Sequence, residues 1–180
     1  MDFIRAGRLP QQYSQENMVG KICIITGATS GVGYEACMQL AKVGATIVFI
    51  VRSKEKAEQL SAKIQDLTGS KPRYYIADFA DLNQLKQATE EILEEYSKID
   101  VLINNVGLHM TTRQLTKGGH EMAFCVNHLA SFLIASLLIK RMVDIPLRMI
   151  HIIRGEKPGL WDILVLAIIC FQIMNNRINP

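Results

Sequence analysis

Eight residues near the start of the chain, Thr26 to Gly33, read TGATSGVG. Residues of this kind can hold an anion. Gly27 permits a tight turn. Gly31 lets the backbone approach a diphosphate with no Cβ in the way, and Gly33 lets a following helix start close to its neighbours. The bare N–H groups and the positive dipole end of that helix favour a pyrophosphate, with Ser30 and Val32 between the glycines. A second chemical signal comes further on, in VRSKEK. Arg52 stands where an acid would take the ribose hydroxyls of NAD, and a guanidinium suits a 2′-phosphate instead. The pattern therefore predicts NADP in preference to NAD. Lys54 and Lys56 read equally well as a solvated charge run.

A glycine-rich turn is a weak signal unless a strand precedes it and a helix follows. Here both do. KICIIT (21–26) is a short β-branched run that ends at the turn, and residues 34–43 have helical apolar spacing, with Gly44 as a stop. TIVFIV (46–51) is apolar throughout, as a strand covered on both faces should be. Helices are predicted over 53–67, closed by Gly69, and over 82–96. Strands are predicted over 73–78 and 99–105. A long helix is expected over 119–142 and a fifth strand over 148–153. This alternation calls for an α/β fold: a Rossmann-like, doubly wound parallel sheet with helices on both faces. Residues 1–20 read as a lead-in, 21–153 as a dinucleotide-binding domain, and 154–180 as a divergent apolar segment that leaves the sheet incomplete at its C-terminal edge.

Several of these stretches together resemble one family. TGATSGVG is similar to the TGxxxGxG element of the short-chain dehydrogenases/reductases, and NNVG (104–107) to their NNAG element. DFADL (78–82) resembles the segment whose aspartate meets adenine. CVNHLASFLIASLL (125–138) resembles the long helix that carries a catalytic asparagine, here Asn127. VRSKEKAEQL and LTKGGHEMAFCVNHLASFL are most similar to the retinol-dehydrogenase-like branch. The resemblance covers roughly residues 19 to 142. It implies that Gly27, Ser30, Gly31, Val32 and Gly33 contact the diphosphate and that Arg52 meets the 2′-phosphate. It places Asp78 and Phe79 beside the adenine, and Asn105, Val106 and Gly107 along the adenosine ribose. Thr26 and Asn104 would tie the first and fourth strands together. Val106 stands where the family usually has alanine. The implied activity is oxidoreduction of lipophilic alcohols or carbonyls with NADP(H).

The family's proton-transfer group is not matched. It uses a serine after the fifth strand and a Tyr-x-x-x-Lys on the next helix. Ile153 and Arg154 stand at the serine positions, no tyrosine follows Tyr96, and the last lysine is Lys157. General acid catalysis is worth about 10²–10⁴ in rate, so Asn127 would be a remnant. The alternative expectation is a catalytically inactive, truncated form that binds nucleotide or associates with a full-length relative as a homo- or hetero-oligomer.

Bulk properties narrow the field further. The 180 residues suit one domain, and 49% apolar with 21% charged is ordinary for a globular chain. A net charge of +3 without a basic, aromatic-laced stripe gives no case for nucleic acid. The scattered cysteines Cys23, Cys37, Cys125 and Cys170 form no CxxC pair. They read as reduced thiols of a cytoplasmic protein. His120, Cys125 and His128 lack the spacing of a metal site, and none is assigned. The longest unbroken greasy stretch, 163–171, is about half the ~20 residues a bilayer needs. No transmembrane span is therefore expected, although peripheral membrane attachment is compatible.

Overall fold

The strand TIVFIV explains the middle of the fold. Ile47 to Val51 are all buried, so this strand must have neighbours on both edges and cover on both faces. In the computed structural model, which describes residues 17–142 and 148–151, it has both. This strand, β2 (Thr46–Val51), lies between β1 (Ile22–Thr26) and β3 (Arg73–Ile76). On the other side of β1 come β4 (Val101–Asn104) and β5 (Arg148–His151). The order is β3-β2-β1-β4-β5 and every pairing is parallel.

Side-chain alternation distributes the strands between two cores. Cys23 and Ile25 of β1 pack with α1 (Gly31–Lys42) and α2 (Lys54–Thr68) on one face. Ile24 packs with α3 (Leu82–Glu95) and α4 (Met122–Arg141) on the other. The chain runs outward from β1 through β2 to β3, then returns to place β4 on the opposite side of β1. The carboxyl ends of β1 and β4 therefore form the switch point where such sheets bind ligands.

The helix boundaries differ from expectation at two informative places. α1 begins at Gly31, with Ser30 as N-cap, rather than at Tyr34, so the glycine turn includes the helix's own first turn. α4 begins at Met122 rather than Gly119. The preceding residues close a small antiparallel turn, with Leu115 bridged to Glu121 and Thr116 N–H donating to His120 O at 2.8 Å. Gly119 has φ +80° there, outside helical space. Glu121 then caps α4 through the N–H groups of Ala123 and Phe124. β3 stops at Ile76 and β4 at Asn104, so Asp78 and Asn105 lie in the loops that follow. The lead-in up to residue 16, Ile153 and the segment 154–180 lie outside the described residues, as does the apolar run 163–171.

By length and composition α4 could cross a bilayer, with a mean hydropathy of 2.0 over its most apolar window. One face of it packs in the core: Val126, Ala130, Ile134, Ala135 and Leu138 are buried against the sheet and α3. Within it, Cys125–Leu129 forms one wider π-helical turn.

At the opposite end of the sheet from the switch point, Asp100 fixes the starts of β1 and β4. Its buried carboxylate accepts the Ile22 N–H at 3.0 Å and pairs with Lys21 at 3.2 Å and Lys98 at 3.3 Å. Burial opposes ionisation, but these hydrogen bonds outweigh it together and hold the carboxyl below its ordinary value. A depressed folded-state value gives stability that is present above the unfolded-state value and lost as pH falls through the folded one. Asp100→Asn is therefore expected to lower the melting temperature at neutral pH and to flatten its decline on acidification below about pH 4. Thermal melts of both forms across that range check this. Parallel acid limbs would show that Asp100 does not carry the dependence.

Candidate functional site

The site is assembled from the exits of β1 and β4. Thr26 Oγ1 accepts the N–H groups of Asn105 at 2.9 Å and Val106 at 3.2 Å, and donates to Ile103 O at 3.4 Å. The Asn105 side-chain amide donates to Thr26 O at 3.0 Å and Gly27 O at 3.1 Å. The tie between the two strands is thus made by Asn105, not by Asn104 as expected. Alternation explains the exchange: successive residues leaving β4 point to opposite faces, and only Asn105 faces the β1 turn. Asn104 Oδ1 is buried with no hydrogen-bond partner among the described residues.

This tie leaves no room for a Cβ at two glycines of the turn. Gly27 has φ +67°, and a Cβ there would lie 2.7 Å from Val106 Cγ2. A Cβ on Gly33 would lie 2.6 Å from Gly27 O and collide with the Asn105 amide. The first bond of α1 runs from Tyr34 N–H to Ser30 O at 3.4 Å, and the Ser30 hydroxyl does not cap the helix. The amides of Gly31, Val32 and Gly33 precede that bond and remain available, as first-turn amides do.

Next to this turn is a cleft of about 320 Å³, at the lower end of the range for small-molecule sites. Gly27, Ser30, Arg52, Asp78, Phe79, Asn105, Val106 and Gly107 all line it. Gly31, Val32 and Gly33 are not in its lining; they form the adjoining helix start. Asn127 is also outside the lining. It stands behind the wall, its Oδ1 accepting Leu108 N–H and its Nδ2 donating to Leu108 O, each at 2.9 Å. Sequence reasoning missed Thr29, Val51, Ala80 and Leu108, which neighbour named residues, and Met122 and Val126. The last two share one face of α4 at a spacing of four, a signal that was legible.

The electrostatics are simple. Arg52 is exposed at the cleft and has no ion-pair partner among the described residues, whereas Lys54 is directed to Glu58 at 4.0 Å. Asp78 Oδ1 accepts Ala80 N–H at 3.0 Å. The Cys125 thiol lies 3.9 Å from the carbonyls of Phe79 and Ala80 and is fully buried. Burial first, and then Asp78 and Asp81, push its pKa up. It packs the cleft's rear wall as an unreactive thiol.

The parallel sheet with a glycine turn at its switch point has counterparts among known proteins. The family model described as short chain dehydrogenase matches residues 21–149. The chain belongs to that family. Human retinol dehydrogenase 13 is 33% identical over 156 residues, which cover 84% of this chain and 45% of that protein. Human retinol dehydrogenase 11 is 33% identical over 141 residues, covering 77% and 44%. The chain thus spans a little under half the length of these relatives. Among solved structures, a short chain dehydrogenase from Escherichia coli CFT073 superposes with a TM-score of 0.66 at 25% identity, covering 78% of this chain and 64% of that one. Another from the same strain, described as complexed with NADPH, has a TM-score of 0.66 at 24% identity and covers 77% and 60%.

Because the Gly33 Cα faces the Asn105 amide directly, Gly33→Ala is expected to destabilise the fold by about 1–3 kcal/mol through overpacking. Gly69 has φ +74° but open space around it, so Gly69→Ala is expected to cost only the strain of a left-handed alanine, about 1 kcal/mol at the lower end of that penalty. Urea denaturation of the two variants checks the order. Equal costs would mean that the β1–β4 contact is looser than described.

Proposed function

We propose that this chain binds NADP(H) at the β1–β4 switch point, as part of an oxidoreductase acting on lipophilic alcohols or carbonyls. The observation that carries the reading is that Gly27, Ser30 and the guanidinium of Arg52, unpaired among the described residues, line one cleft, with the first turn of α1 adjoining it at Ser30. The cradle fits the cofactor: Gly27 and Gly33 let the turn close onto Asn105 and Val106, and no side chain caps the first turn of α1 beside it. Gly31, Val32, Gly33 and Ser30 would hold the pyrophosphate. Arg52 would hold the 2′-phosphate, for which a planar fork of donors is suited. Asp78 and Phe79 would flank the adenine, and Val106 and Gly107 the ribose, with Asn105 supporting that wall from behind. When bound, the nicotinamide supplies or accepts hydride. The names of the retinol dehydrogenase relatives support the lipophilic substrate class.

A second reading is favoured by the sequence alone: nucleotide binding without turnover, alone or beside a full-length relative. Ile153 and Arg154 occupy the positions where the family places serine, and both lie outside the described residues. In this reading Asn127 keeps the cleft wall in place through Leu108 and has no proton to relay.

Fluorescence titration of the purified chain with NADPH, followed by assay on a panel of retinoids, steroids and aldehydes, separates these readings. Binding with turnover supports the oxidoreductase, binding without turnover supports the second reading, and no binding overturns both. Arg52→Asp is expected to weaken NADPH binding about tenfold to a hundredfold, the value of one or two charge-assisted hydrogen bonds, while leaving NADH nearly unchanged. An unaltered NADPH affinity would remove Arg52 from the site.

A further inference from the structure

We infer that Gln84, which does not line the cleft, is a positioning residue for base recognition. By bridging the Asp78 backbone to the Asp81 carboxylate, it holds the Asp78 side chain where it reads the amino group of a purine. The inference rests on the nucleotide reading above and adds to it the residue that sets base selectivity.

Gln84 is exposed on the first turn of α3. Its Oε1 accepts the Asp78 N–H at 3.1 Å, and its Nε2 donates to Asp81 Oδ2 at 3.1 Å. Its own N–H donates to Asp81 Oδ1 at 3.3 Å. The loop is closed from within by Asp81 N–H to Asp78 O at 2.9 Å and by Ala80 N–H to Asp78 Oδ1 at 3.0 Å. Both ends of the segment 78–81 are therefore fixed, and one carboxylate oxygen of Asp78 is committed. The other, Oδ2, has no hydrogen-bond partner among the described residues. It belongs to a residue lining the cleft beside the buried Phe79.

An ionised carboxylate oxygen only accepts hydrogen bonds. Beside an apolar wall it suits a flat ring that offers an exocyclic N–H, such as adenine. A ring with a carbonyl at that position, such as hypoxanthine, would set acceptor against acceptor, and sites built for a donor reject such analogues. The residue type at position 84 is also constrained. An amide accepts from Asp78 N–H and donates to Asp81 at once. A glutamate could accept but not donate, and it would add a third carboxylate to two already present. An apolar side chain could do neither.

The test is titration of the full chain, wild type and Gln84→Met, with NADPH and with its hypoxanthine analogue, with circular dichroism as a check on folding. The wild type is expected to prefer NADPH. In the variant, NADPH binding is expected to weaken about two- to tenfold, the value of the hydrogen bonds that hold the loop, while the analogue changes less than about twofold. Equal weakening of both nucleotides would mean that Gln84 only supports the fold, and overturns the inference. So does an unchanged preference, or a wild type that binds both nucleotides equally. A wild type that binds neither defeats the nucleotide reading itself. Should Gln84→Met not fold, Gln84→Glu is read by the same comparison.

Discussion

The structure depends on one junction: the turn after β1 is held against the exit of β4 by the side chains of Thr26 and Asn105, with no room for a Cβ at Gly27 or Gly33. Asn105 makes this possible from one side, since its amide supplies donors to the carbonyls of Thr26 and Gly27. Thr26 makes it possible from the other, because its hydroxyl takes two consecutive N–H groups of the β4 exit. Each buried hydrogen bond is worth about 0.5–1.5 kcal/mol, and leaving one partner unsatisfied costs more. The glycines at 27 and 33 follow from this contact, because their Cβ atoms would lie inside it. The glycine turn that we propose as an anion cradle is thus shaped by strand packing.

From that junction the rest of the site is placed by topology. β2 ends beside β1 in register, Thr26 opposite Ile50, so Arg52 leaves the sheet next to the glycine turn. β3 ends beside β2, Ile76 opposite Val51, so Asp78 and Phe79 emerge one step further out. The lining residues from four separate loops come together because parallel strands all finish at the same end of the sheet. The two hydrophobic layers keep this alignment rigid, with α1 and α2 on one face and α3 and α4 on the other.

What could be read from the sequence follows from the same physics. β2 was legible to the residue because burial on both faces leaves an unbroken apolar run. The end of α2 was legible because Gly69 takes a left-handed conformation that few other residues tolerate. The start of α1 was not: Gly31 and Gly33 look like turn residues, and only the structure shows Gly31 entering the helix at φ +57° and Gly33 pressed against Asn105. The start of α4 was misplaced because helical spacing continues backward into residues whose backbone is held by the Leu115–Glu121 bridge. Asn104 and Asn105 are identical in type, so composition could not say which one faces β1. The face depends on where the strand's alternation ends. Nor could Gln84 be singled out, since an exposed amide in an amphipathic helix carries no signal until the loop it spans is known.

Asn127 shows how far residue type and role can separate. Both polar atoms of its side chain are engaged by the Leu108 backbone, so to act elsewhere the side chain would have to release the wall of the cleft. It sits in the one wide turn of α4, between Cys125 and Leu129, a geometry found often at functional positions. That widening has a local consequence here. It presents Asn127 to Leu108 and sets the Cys125 thiol against the carbonyls of Phe79 and Ala80. One helical turn thereby braces two loops of the cleft, the β4 exit and the segment after β3. The cleft is built from strand ends braced by α1, α3 and α4, so the nucleotide recognition proposed for it does not depend on Asn127 moving a proton.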